Sequence, residues 1–256
     1  MLRNARPAVI ALVAATLLGA CVSPQPQPVR SPALAPAPNE FPAGFYEQAA
    51  ARGEPVYRVD SSNSLVTLTV RRAGSLAHLG HDHVVASRSV QGYVAPQAGR
   101  ADLYVPLIEL TVDEPALRAE AGLDTQPTES DIAGTRSNML DKVLQVQQFP
   151  YALIHASGSA STAPAAGMQA SVSITLHGTT RTRNVPLQLE SAEGEMRAAG
   201  SFEIAQSDFG IAPFSILGGA VQVKDQVSLR FAIRAHLIGD RASTFLYHPH
   251  SLPPLD

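Results

Sequence analysis

From Tyr57 onward the chain alternates apolar and polar residues with a period of two, and this pattern restricts the possible folds more than any other feature of the sequence. Val66, Leu68 and Val70 alternate with Leu65, Thr67 and Thr69. Leu103, Val105 and Leu107 follow, and Val172, Ile174 and Leu176 alternate with Ser171, Ser173 and Thr175. Val185, Leu187 and Leu189, then Phe202 and Ile204, then Leu229, Phe231, Ile233 and Ala235 repeat the pattern, with Gln188, Arg230 and Arg234 on the opposite face. Successive side chains of a strand point to opposite faces, so each run has one face to bury. Turn chemistry separates the runs at His177-Gly178-Thr179-Thr180 and at Glu193-Gly194. Many short, one-faced strands predict a mainly β fold, an antiparallel sandwich or a closed barrel. One segment departs from this. Between Thr128 and Gln145, Ile132, Met139, Leu140, Val143 and Leu144 recur at helical spacing, and Phe149-Pro150 ends the segment. A single inserted helix is expected there, placed to cap one end.

The N-terminal part has a different texture. Arg3 and Arg6 precede an apolar run from Ala8 to Ala20, and small residues lead into Cys21, the only cysteine. This is the layout of a secretory signal over residues 1–20, too short and wrongly flanked for a membrane span. Leu18-Gly19-Ala20-Cys21 resembles the lipobox of bacterial lipoproteins, which implies cleavage after Ala20 and lipidation of Cys21, so that the membrane is reached through that anchor. Val22 in place of Asp, by resemblance to Gram-negative sorting, implies the outer membrane, facing the periplasm. Residues 21–55, with Pro at 24, 26, 28, 32, 36, 38 and 42, read as an extended tether. Phe41 to Arg52 has the composition for a helical turn or two. A barrel domain is expected over 56–239 and a tail over 240–256, where His248-Pro249-His250 lies among prolines.

Lys and Arg are scattered and net charge is near neutral, so no nucleic-acid footprint is visible. With Cys21 lipidated no thiol remains for catalysis, and no Gly-x-Ser-x-Gly elbow is present. Gly218-Gly219 lacks the helix and basic residue of a phosphate loop, and Asp208 beside Phe209-Gly210 reads as turn chemistry. No enzymatic function is expected.

Several segments together resemble the YceI-like family of periplasmic proteins: Tyr57-Arg58-Val59-Asp60 with Ser64-Leu65-Val66, Asn138-Met139-Leu140 with Phe149-Pro150-Tyr151, Leu176-His177-Gly178-Thr179-Thr180, and Ser207-Asp208-Phe209-Gly210-Ile211. The resemblance runs over most of Tyr57 to Leu237. It implies a lipocalin-like antiparallel barrel whose apolar interior holds a polyisoprenoid or quinone-like lipid without chemistry. The chain departs from the family pattern at Gln206, where a basic residue is common, and at Arg71 or Arg72, where a histidine is usual.

An eight-stranded barrel is wide enough either for its own side chains or for one slim ligand. The inward-reading candidates for a ligand cavity are Val66, Leu68, Val70, Leu103, Val105, Ile174, Leu176, Leu187, Phe202, Leu229, Phe231 and Ile233. Apart from a bound isoprenoid lipid, no cofactor is expected. The segment His78-Leu79-Gly80-His81-Asp82-His83 admits two readings. His81 and His83 form a polar rim at a barrel mouth, or the two join His78 around a metal ion, since residues i and i+2 of an extended segment share a face. His155 and His177 are distant further partners for a metal. If one unbroken strand runs on through Ser87, Ser89 and Gln91, both histidines face solvent, and Val84, Val90 and Val94 face inward.

Overall fold

The computed structural model describes residues 36–158 and 168–239. The expected signal, Cys21, the larger part of the tether and the 240–256 tail with its two histidines lie outside the described residues. The strands in chain order are β1 (Tyr57–Val59), β2 (Leu65–Ala73), β3 (His83–Ser87), β4 (Gln91–Ala95), β5 (Arg100–Pro106), β6 (Thr111–Val112), β7 (Tyr151–Ser157), β8 (Met168–Leu176), β9 (Thr179–Ala192), β10 (Glu195–Ala205), β11 (Ser215–Ile216) and β12 (Val221–Leu237).

All pairings are antiparallel. β1 and β2 lie end to end along β12, β4 and β3 lie along β1 and β2, and β5 and β6 lie along β4 and β3. Each of these three broken pairs serves as one wall strand. With β7, β8, β9, β10 and β12 they form an eight-stranded up-and-down barrel, closed where β12 meets β1 and β2. The closing pairing is continuous along β12 apart from the irregularity between Val223 and Val227.

Local chemistry sets the corners. His177-Gly178 and Glu193-Gly194 each have positive φ at both residues, 51° and 72° in the first and 49° and 77° in the second. These are two-residue hairpin turns whose twist matches that of the flanking strands. Gly200 is required for another reason. A Cβ there would sit 2.6 Å from the Pro186 carbonyl oxygen and 2.8 Å from the Phe231 ring, so the bare backbone lets that ring lie flat against the inner wall.

The inserted helix is α3 (Glu129–Asn138), with α1 (Ala43–Ala51) and α2 (Pro115–Glu120) as two further helices. Thr128 caps α3 by accepting from the Asp131 N–H, while the Asp131 carboxylate accepts from the Thr128 N–H. The helical path continues beyond α3 as a π turn, Met139–Val143, which buries Leu140. The expected helix to Gln145 is therefore wound more loosely over its last turn, which turns Met139, Val143 and Leu144 into the barrel. The Arg136 guanidinium donates to the Ile108 and Leu110 carbonyls and holds α3 over this end, called here the helix end.

Two expectations are corrected. The tether expected over residues 21–55 does not extend to Pro55, because α1 packs on the outer wall, burying Tyr46, Ala49 and Val56 with Ala95 and Tyr93. Aromatic burial and a hydrogen bond from the Tyr46 hydroxyl to Asp102 at 2.6 Å outweigh the extended preference of the prolines before it. The strand through His83 is also broken, between Ser87 and Gln91, and the break flips the side-chain phase. Val85 and Ser87 face in, while Val84 and Ala86 face out and pack against Leu117 of α2. Val90 and Val94 do face inward.

Candidate functional site

The inner faces of the strands enclose a cavity of about 370 Å³, within the size range of small-molecule sites. Every one of the cavity candidates from Val66 to Ile233 named above lines it. The periodicity places them there because a cross-strand pair shares a face: Leu229 lies opposite both Leu68 and Phe202, and Phe231 lies opposite both Val66 and Gly200. At the helix end the cavity reaches Met139, Val143, Leu144, Phe209 and Ile211, and at the opposite end it reaches Pro96 and Gly158.

The wall is almost wholly aliphatic and aromatic. Its polar members among the described residues are Ser87, Arg100, Ser157 and Gln206. The Gln206 side-chain amide donates to the Lys224 carbonyl at 2.9 Å. The Arg100 guanidinium is engaged by Asp102 at 2.6 Å and lies 4.4 Å from the Phe45 ring centroid. No carboxylate, imidazole, thiol or amine lines the described wall, so the hydroxyls of Ser87 and Ser157 have no base on it to activate them. What such a surface can do is shelter apolar area from water, at roughly 25 cal/mol per Å².

The sequence did not single out Met139, Phe209, Ile211, Gln206 or Met196 as wall residues. Met139 was legible only as helix, and Phe209 and Ile211 sit in a turn, closed by left-handed Gly210, where period-two reasoning does not apply. The Asp208 carboxylate in that turn pairs with Arg183.

The histidines lie elsewhere. His81 belongs to the β2–β3 loop, not to a strand, and neither His81 nor His83 lines the cavity. His83 does not face solvent: it is buried, and its Nδ1 lies 2.6 Å from the Asp113 carboxylate. Asp113 also accepts from the Val84 N–H at 3.0 Å and from the Arg118 guanidinium at 2.6 Å. Burial acts to raise the Asp113 carboxyl, but these three donors outweigh it and hold it below its ordinary value. The strand starts only at His83, and the His81 ring of the loop stands edge-on to the His83 ring with centroids 6.2 Å apart. Among the described residues, no three His, Cys, Asp or Glu side chains are grouped to hold a metal ion. His155 bonds Asp102 on the outer wall at 2.7 Å, and His177 packs at a tilt against Phe149 at the β8–β9 hairpin, 4.4 Å between centroids. Neither meets the His81 segment. Arg71 and Arg72 both pair with Asp82.

The comparisons with known proteins bear on this barrel. The model of the YceI-like domain family matches residues 57–235. The chain belongs to the YceI-like domain family. This YceI-like domain is similar to a solved polyisoprenoid binding domain from Saccharophagus degradans, implicated in plant cell wall breakdown, at 14% identity and a TM-score of 0.50, covering 71% of this chain and 98% of that one. Burkholderia cenocepacia BcnA matches at 16% identity and a TM-score of 0.48, covering 69% and 98%. A Campylobacter jejuni YCEI protein matches at 11% and 0.36, covering 55% and 75%. No curated protein matches in sequence. The helix α1 lies N-terminal to the span that the family model matches.

Proposed function

We propose that this YceI-like domain binds one elongated apolar lipid, polyisoprenoid or quinone-like, in its barrel, and sequesters or carries it without chemical change. The observation that carries the reading is the continuous aliphatic cavity running from the helix end to Pro96 and Gly158. The description of the Saccharophagus relative names the ligand class to test first. Native mass spectrometry of the purified protein is expected to show a stoichiometric co-purified lipid, and Ile174→Phe, which adds a ring to the space, to lose it while matching the thermal midpoint of the delipidated parent. If the barrel were filled by its own side chains, no lipid would appear, and the same change would overpack the core at about 1–3 kcal/mol.

The domain is placed in the periplasm, held to the outer membrane by acyl chains on Cys21. This part rests on the sequence around Ala20 and Cys21. Cys21→Ser is expected to remove the acyl mass and either block cleavage after Ala20 or release the protein from membranes. A cleaved variant that stays on membranes would overturn the anchor.

A further inference from the structure

The exposed large apolar side chains of the described barrel are unevenly placed. Leu217 is 68% exposed and Leu79 61%, and with Ile216 and Ile108 they all lie at the helix end, against Ile238 alone at the other. Leu79 and Ile216-Leu217 sit on two loops that support one another, with the Leu76 N–H donating to the Ala220 carbonyl at 2.8 Å. The second loop leans on the π turn, where the Lys142 ammonium lies 6.0 Å from the Phe214 ring centroid. It also follows directly on Phe209 and Ile211, which line the cavity. The patch is therefore one short loop away from the proposed lipid.

A second observation concerns the route of the chain. β1 starts at the end opposite the helix, yet residues 36–52 run back up the outer wall as a strap. Phe41 packs edge-on to Tyr104, with centroids 4.9 Å apart, and Tyr46 stacks on Tyr93 at 5.3 Å. The Tyr151 hydroxyl then donates to the Pro36 carbonyl at 2.9 Å, where β7 leaves the helix end. The chain that precedes Pro36, with Cys21 in it, joins the barrel at the end that carries the apolar loops.

We propose that the helix end docks on a lipid bilayer, with Leu79, Ile216 and Leu217 entering the acyl boundary and the strap holding the N-terminal exit at the same face. The inference rests on the lipid-binding reading, since a carrier of an insoluble lipid must meet a bilayer to load or unload. The bilayer is favoured over a second protein because the segment leading to Pro36 begins, after the expected cleavage, at Cys21, the residue proposed above to carry the acyl chains.

The chain contains no tryptophan, so single-tryptophan variants report which end enters the membrane. Leu217→Trp and, separately, Ile238→Trp would be made in the chain from residue 21 onward carrying Cys21→Ser, as it stands after the expected cleavage, and mixed with phosphatidylethanolamine and phosphatidylglycerol vesicles bearing brominated acyl chains. The tryptophan at position 217 is expected to shift to the blue and be quenched, and the one at position 238 to do neither. Adding Leu79→Ser to the first variant weakens its apparent partition constant about tenfold, the effect of keeping one leucine out of the apolar phase. Equal quenching at both positions, quenching only at 238, or a blue shift that appears with protein concentration in the absence of vesicles would overturn the proposal, the last in favour of a second copy. Co-purified lipid is measured on the same samples before vesicles are added. Lipid present without quenching at 217 sinks the docking alone, and quenching at 217 without lipid sinks the carrier reading alone.

Discussion

Asp113→Ala is expected to destabilise the domain by about 3–5 kcal/mol, the cost of leaving a buried charge without its partner. The Asp113 carboxylate is fully enclosed and joins the His83 ring, the Val84 N–H and the Arg118 guanidinium, so its removal strands Arg118 among buried groups. The backbone at Asp113 is left-handed, φ 58°, which aspartate and asparagine tolerate better than alanine. Asp113→Asn separates the two effects, keeping the backbone preference and losing the charge. The pH dependence has a fixed sign. A carboxyl held below its ordinary 3.8 stabilises the fold above that value, and the contribution is lost as pH falls through the depressed one. Asp102, where burial is outweighed by donation from Tyr46, Arg100 and His155, acts in the same direction. Thermal midpoints of the parent protein are therefore expected to hold from neutrality to about pH 4 and to drop below it. Asp113→Asn should show a lower midpoint at pH 7 and a shallower acid drop. A midpoint within a degree or so of the parent would mean that the cluster is dispensable.

Ile233→Asp is expected to be at least as costly, about 4 kcal/mol or more at neutral pH, because the position lines the aliphatic cavity. Its neighbour on the other face supplies the control. Arg230 is exposed and pairs with Glu120 at 2.8 Å, so Arg230→Ala should cost no more than about 1 kcal/mol. Denaturant midpoints of the two variants, read beside their lipid content by mass spectrometry, test the strand phase and the cavity together. Comparable losses from the two changes would show that the inner face of β12 has been misplaced.

Where one face of a strand is dry and the other wet, the sequence is readable. β8, β9 and β12 alternate cleanly because cavity lies on one side and water on the other, and their inner residues fall where the alternation puts them. β3 fails that condition. Its outer face is covered by Leu117 of α2, so His83-Val84-Val85-Ala86-Ser87 is buried throughout and carries no usable phase. The break after Ser87 then shifts the register by one residue, which periodicity cannot detect. Of the strap, the helical turns over Phe41 to Arg52 were legible and are present as α1, but its docking was not, because Phe41, Phe45 and Tyr46 find their partners on β4 and β5, far along the chain. The Asp113 cluster likewise joins residues from separate segments, and no local spacing announces it.

A described wall without carboxylate, imidazole or amine has a thermodynamic corollary. Nothing in it changes charge between acid and neutral pH, so a cargo held there by apolar contact alone has no built-in trigger for release. For the lipid proposed above, transfer would run in whichever direction its chemical potential falls, and the described wall would select by the length and girth of its cargo.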